Sequence, residues 1–139
     1  MFNRILIASD GSEFAEKAAE KAAYLAAVSK TPYVELVHVI DFDDTKSEVV
    51  YRQGKEENEK TRHHRLKGTK KRLEEKEIEY GLTFLYGDAA KKIVEYAKKH
   101  DFDVIVMGSR GLNIFQKMLL GSVSHKVSKH SHCPVIIVK

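Results

Sequence analysis

The sequence predicts a doubly wound α/β sandwich, a parallel sheet covered on both faces by helices. Strand-like runs alternate with helix-like segments along the chain. The runs ILIA, VIVM and VIIV are almost continuously apolar, as strands buried on both faces should be. No internal repeat, linker or composition shift divides the 139 residues, so one domain over 1–139 is expected.

Arg4 to Ser9, RILIAS, reads as the first strand, closed by the turn and cap residues Asp10, Gly11 and Ser12. Ser12 precedes Glu13 and Glu16. Ala15, Ala18, Ala19, Ala22, Ala23 and Ala26 then recur at helical spacing until Lys30 and Pro32, which predicts a helix over about 12 to 29. Its small side chains allow close approach to a sheet. Tyr33 to Ile40 is the second strand, and Asp41 to Arg52 has no period and reads as a loop. Gln53 to Tyr80 is mostly Lys, Glu and Arg with Leu66, Leu73 and Ile78 as sparse anchors, which predicts a long exposed helix interrupted at Gly68. Leu82 to Tyr86 is the third strand, Asp88 caps a helix running to His100, and Asp103 to Met107 is the fourth strand. Ser122 to Ser131 is the last helix. Pro134 to Val138 is the last strand, its proline first, where the missing donor is tolerated.

Composition narrows the function classes. With 42% hydrophobic and 32% charged residues the chain can support both a core and a charged surface, which argues against disorder. No apolar run approaches the roughly 20 residues of a membrane span, and the opening MFNRILIASD lacks a signal-peptide pattern, so a cytoplasmic protein without a membrane role is expected. Cys133 is the one cysteine, which leaves no internal disulfide and no paired thiols for structural zinc. The net charge is +4, but the basic residues of Lys55 to Glu79 are interleaved with Glu rather than blocked together, which argues against nucleic acid. His130, His132 and Cys133 read as a polar loop, since no second cluster at metal-ligand spacing accompanies them. His63 and His64 read as solvated, and His38 as a packed strand residue.

Ligands of open α/β sheets bind beyond the carboxyl ends of the strands, where the strand order reverses. After the fourth strand the chain reads Gly108, Ser109, Arg110, Gly111, nine residues, then Gly121, Ser122, Val123, Ser124, a G-x2-G-x9-G-S spacing. Gly108 and Gly111 can take backbone angles closed to other residues and bring amides close to a ligand, while Ser122 and Ser124 offer hydroxyls. The helix that begins here adds free amides and a positive dipole end, and Arg110 and Lys117 add charge, so the spacing points to an anion such as phosphate. Read singly, each glycine is a turn residue and Ser122 a cap. No Walker lysine follows as in G-x4-GK-[ST], which argues against a P-loop NTPase. Leu112 to Leu120 is more apolar than a phosphate loop requires and offers side chains for packing or for a partner.

On this spacing, and on ILIASDGS, LVHVID, GDAAKKIVEYAKKHDFDVIVMGSRG and CPVIIVK, the chain resembles the universal stress protein family over nearly its whole length. The resemblance implies a Rossmann-like, adenine nucleotide alpha hydrolase-like sandwich with a five-stranded parallel sheet of order 3-2-1-4-5 that binds ATP. Carried over by position, Ala8, Ser9 and Asp10 line adenine and ribose, and Val39 offers backbone groups to the base. Met107, Gly108, Ser109, Arg110 and Gly111, with Gly121, Ser122, Val123 and Ser124, hold ribose and phosphates. Asp10 alone reads equally as the turn former before Ser12. Mg2+ is expected beside a triphosphate, because it neutralises adjacent charges. The implied role is a nucleotide-dependent regulatory switch in stress response that acts on a protein partner, with little or no hydrolysis. The alternatives are a slow ATP hydrolase or phosphotransferase, and a nucleotide-free scaffold. An apolar last strand at the sheet edge is a template for pairing, and the resemblance implies a homodimer through it.

Overall fold

The structure is a computed structural model and describes residues 2–40, 55–111 and 120–139. In chain order it contains β1 (Arg4–Ala8), α1 (Glu13–Ala27), β2 (Tyr33–Ile40), α2 (Lys55–Arg65), α3 (Lys67–Glu75), β3 (Gly81–Tyr86), α4 (Ala89–Lys99), β4 (Val104–Gly108), α5 (Ser122–His130) and β5 (Val135–Val138). The strands form one parallel sheet in the order β3-β2-β1-β4-β5. Ile7 stands between Leu36 and Val106, so β1 is central and the chain reverses direction across it.

The sheet divides two cores. Ile5, Ile7, Leu36, Val104 and Val106 face α1 and α3, while Leu6, Val37, Ile105 and Met107 face α4 and α5. Both faces of each central strand are therefore covered, which is why these strands carry no alternation of polar residues. The Ser12 hydroxyl accepts the Ala15 amide at 3.2 Å and starts α1. The alanine stripe of α1 is buried throughout and lets the helix lie directly on the sheet.

The long helix expected over 53–80 with its interruption at Gly68 is two helices that meet at Leu66. The chain bends at Leu66, which is fully buried together with Leu73 and Thr69, and the bend keeps all three on the sheet side of the helices. Gly68 is not the break; it lies inside α3 against the Glu16 carboxylate. The helix also stops five residues early. Its last turn closes with Ile78 N–H donating to the Leu73 carbonyl and Glu77 N–H to that of Glu74, both at 3.0 Å, around Glu77 at φ 56. That closure usually announces itself by a glycine in the left-handed position, and here glutamate holds it. The readings of 41–52 and of 112–119, with Lys117, lie outside the described residues. Among the described residues no helix is long and apolar enough to cross a membrane.

Candidate functional site

A cleft of about 870 Å³ opens at the carboxyl ends of β1, β2 and β4. It is lined by Ala8, Ser9, Asp10, Val39, Met107, Gly108, Arg110, Gly111, Gly121, Ser122, Val123 and Ser124, so the fold brings together twelve of the thirteen residues singled out by sequence. Ser109 is the exception. Its side chain is buried and its hydroxyl oxygen has no partner among the described residues, while its main chain braces the loop. The Ser109 carbonyl accepts from the Gly121 amide at 2.6 Å and from the Ser124 hydroxyl at 2.8 Å, and its own amide donates to Val138 at 2.8 Å.

The first wall is the turn after β1. Asp10 Oδ1 accepts the Ser12 amide at 2.9 Å, the Ser9 hydroxyl oxygen accepts the Gly11 amide at 3.1 Å, and the same hydroxyl pairs with that of Thr69 at 2.8 Å. Asp10 is thus a turn former, and its other oxygen faces Gly111. Gly11 has φ 83 and lies under the side-chain stem and carbonyl of Arg65, which leaves only glycine suited to the position.

The second wall corrects two expectations. Neither Gly108 nor Gly111 adopts a left-handed backbone, and at Gly108 it is space that requires glycine. A Cβ on Gly108 would stand 2.7 Å from Phe14 Cβ, and one on Gly111 would strike the Asp10 carboxylate. The two serines also differ. The Ser124 hydroxyl donates within the loop, to Ser109 at 2.8 Å or Gly121 at 3.1 Å, and has no proton left for a ligand, whereas Ser122 is exposed on the cleft. Gly121 is the N-cap of α5 and provides no side-chain acceptor. The amides of Ser122, Val123 and Ser124 therefore lack intrahelical partners and present a positive dipole end to the cleft. Arg110 stands beside them with its guanidinium 5.3 Å from the Phe14 ring centre and its buried Nε without a partner among the described residues.

Sequence reasoning missed His38, Thr61, Arg62 and Arg65, which also line the cleft. The last three come from α2, and only the packing of α2 over the strand ends brings them there; no local spacing marks them. His38 is packed, as expected, but its ring reaches the turn after β1, where Nδ1–H donates to the Ser9 carbonyl at 2.8 Å. Burial holds the His38 pKa below its usual value, and the nearby Arg65 and Arg62 charges add to that, against the Ser9 bond and Asp10. The unfolded chain therefore binds a proton there more readily than the folded one, so stability is present above the ordinary value of about 6.5 and is lost as pH falls below it. Urea unfolding between neutral pH and mildly acid pH is expected to show this loss, and His38→Gln to flatten it; an equal slope in the variant would assign the loss to other groups.

A model of the universal stress protein family matches residues 1–139. The universal stress protein YxiE of Bacillus subtilis is 34% identical over the whole of both chains. The solved structure of protein MJ0577 of Methanocaldococcus jannaschii superposes with a TM-score of 0.87 at 33% identity, over 100% of this chain and 96% of that one. A solved universal stress protein of Archaeoglobus fulgidus in complex with dAMP superposes with a TM-score of 0.71 at 23% identity over the whole of both chains, a likeness of fold.

Proposed function

The chain belongs to the universal stress protein family, and on that premise we propose that the cleft binds ATP with Mg2+ and acts as a nucleotide-dependent switch. The observation that carries this reading is the start of α5, which has no side-chain cap among the described residues and whose first amides lack intrahelical partners beside Arg110 and the exposed Ser122 hydroxyl. That arrangement suits the phosphates. The base is read by β2. β1 stops pairing at Ala8, opposite Val37, whose carbonyl takes the Ser9 amide at 3.0 Å. Two residues on, the Val39 amide and carbonyl point to the same side of the strand, past the end of β1. They offer one donor and one acceptor side by side, which matches N1 and the amino group of adenine. The dAMP complex of the Archaeoglobus fulgidus relative supports the same class of ligand.

Mg2+ would be held chiefly by phosphate oxygens and water, because no cluster of three His, Cys, Asp or Glu side chains stands ready for a metal among the described residues. Asp10 is the one carboxylate among the described lining residues, and it is engaged with the Ser12 amide. A phosphoryl transferase needs a group that positions the nucleophile as well as a clamp on the phosphoryl, so hydrolysis is slow at most. The output is contact with a protein partner in the cytoplasm, biased by the bound nucleotide.

Denaturing the purified protein and chromatographing the supernatant is expected to release ATP, and calorimetric titration of Mg2+ and ATP into emptied protein to refill the site. No nucleotide and no binding heat would overturn the reading and favour a scaffold, for which Gly121→Val should change nothing. Multiple turnovers abolished by Asp10→Asn or Ser122→Ala would favour a slow hydrolase or phosphotransferase instead. β5 is the sheet edge and its four residues are half-buried, so we also assign a homodimer through it. Light scattering should give twice the 15.8 kDa chain mass, and a monomeric mass would refute the pairing.

A further inference from the structure

Helix α2 places two guanidinium groups in the cleft on the side away from α5. Arg62 is 92% buried, its guanidinium 5.8 Å from the ring centre of Tyr86 at the end of β3, since its exposure is 8%. The Arg65 stem lies on Gly11, just past β1. Arg110 and the start of α5 follow β4, and strands lie about 4.8 Å apart in a sheet, so the two cationic groups flank Asp10 from opposite sides. Among the described residues neither Arg62 nor Arg65 forms an ion pair with a carboxylate. Asp10 is the one carboxylate among the described lining residues, so a single negative charge stands against the three guanidinium groups of Arg62, Arg65 and Arg110. The field of both arginines is felt at His38, where it opposes a charge on the ring.

With one carboxylate against three guanidinium groups among the described lining residues, a cleft already suited to a nucleotide has positive charge to spare for a second anionic group on its ligand. We propose that Arg62 and Arg65 form a second anion subsite that takes a phosphoryl group on the ribose 3′ oxygen of the nucleotide whose 5′ phosphates lie at α5. The inference rests on the nucleotide reading above. With the ribose over Asp10, the 3′ oxygen leaves on the side opposite the 5′ chain, toward Gly11 and the Arg65 stem. Arg62 and Arg65 present planar donor forks, which match a phosphoryl group better than a point charge does.

Calorimetric titration of the emptied full-length protein with AMP and with adenosine 3′,5′-bisphosphate tests it. The bisphosphate is expected to bind about tenfold tighter than AMP, as one charge-assisted contact to a phosphate warrants, and added salt should shrink the difference. The Arg62→Gln/Arg65→Gln variant should bring the ratio of the two affinities to about one. Arg65→Gln alone, at an exposed position, should lower the ratio partway and serves if the double variant does not fold. Equal affinities in the unaltered protein, or a ratio that survives both variants, would overturn the second subsite while AMP binding upholds the first. Failure of AMP itself to bind would overturn the nucleotide reading and this inference with it.

Discussion

Gly108→Ala is expected to destabilise the fold by about 1–3 kcal/mol, the range of overpacking in a close-packed core, and to weaken nucleotide binding with it. The added Cβ would stand 2.7 Å from Phe14 Cβ, 2.8 Å from the Phe14 carbonyl carbon and 3.0 Å from the Ala15 amide nitrogen. Two of these are main-chain atoms, which cannot swing away as a side chain can. The strand cannot retreat either, because β4 is paired on both sides, Met107 with Ala8 and Gly108 with Val138. Relief must come from the first turn of α1, and that turn is tied to the cleft through the Ser12 cap and the Asp10 turn. Gly121→Ala makes the contrast: its Cβ would meet Arg110 Cα and the Ser109 oxygen at 3.4 Å, a contact that a small adjustment accommodates. Its stability should stay within about 0.5 kcal/mol, so any affinity it loses is lost at the site. Urea unfolding and nucleotide titration of the two variants read both effects. An alanine tolerated at 108 would mean that α1 can lift from the sheet without disturbing the turn.

These two glycines show how far the site was legible. Their spacing was plain because Gly108 closes a strand that is apolar throughout and Gly121 directly precedes the last helix. Their reasons were not, since a sequence does not distinguish a glycine needed for its backbone angles from one needed because a helix lies 3 Å away. The opposite assignments hold for Gly11, which needs its φ of 83 as well as space, yet was read only as a turn residue. Ser122 and Ser124 are alike in sequence and unlike in the fold, because only the folded loop turns the Ser109 carbonyl toward one of them. Arg62 and Arg65 reach the cleft by packing between elements far apart in sequence, a relation that local spacing does not encode.

The fold was legible where burial is complete. β1, β4 and α1 carry unbroken apolar or alanine patterns because every position on them that touches the sheet core excludes water. The α2–α3 region was misread because its apolar anchors are sparse and its end is closed by Glu77 rather than by glycine. The end of α4 uses the same closure, with Asp101 at φ 53, and there the sequence reading stopped at the right place because the apolar run of β4 begins three residues later.

Phe102→Ala should be the most destabilising single truncation, with a loss of about 3–5 kcal/mol against a total stability of about 5–15 kcal/mol for a domain. The α4 closure aims this residue inward: Phe102 N–H donates to the Ala97 carbonyl at 3.0 Å and Asp101 N–H to that of Lys98 at 3.3 Å, which turns the ring onto the core. Phe102 is 2% exposed. Its ring centre lies 6.0 Å from Tyr96 and 6.1 Å from Tyr33, and the Arg4 guanidinium lies 5.1 Å from it. Tyr96 is itself held in place by donating to the buried Glu35 carboxylate at 2.8 Å, so it cannot move into the gap without leaving that charge with Thr83 as its remaining donor. Arg4 is fixed likewise, since its Nε donates to the His100 carbonyl at 3.1 Å. A cavity whose walls are pinned collapses little, which places the loss in the upper part of the range for such truncations. All of this lies at the amino ends of the strands, across the sheet from the cleft, so the folded fraction of the variant should keep its nucleotide affinity. Phe102→Leu retains most of the volume and should cost less than about 1.5 kcal/mol. Denaturant unfolding of the two variants measures the difference, and a Phe102→Ala loss as small as that of Phe102→Leu would show that Tyr96 leaves Glu35 to fill the space.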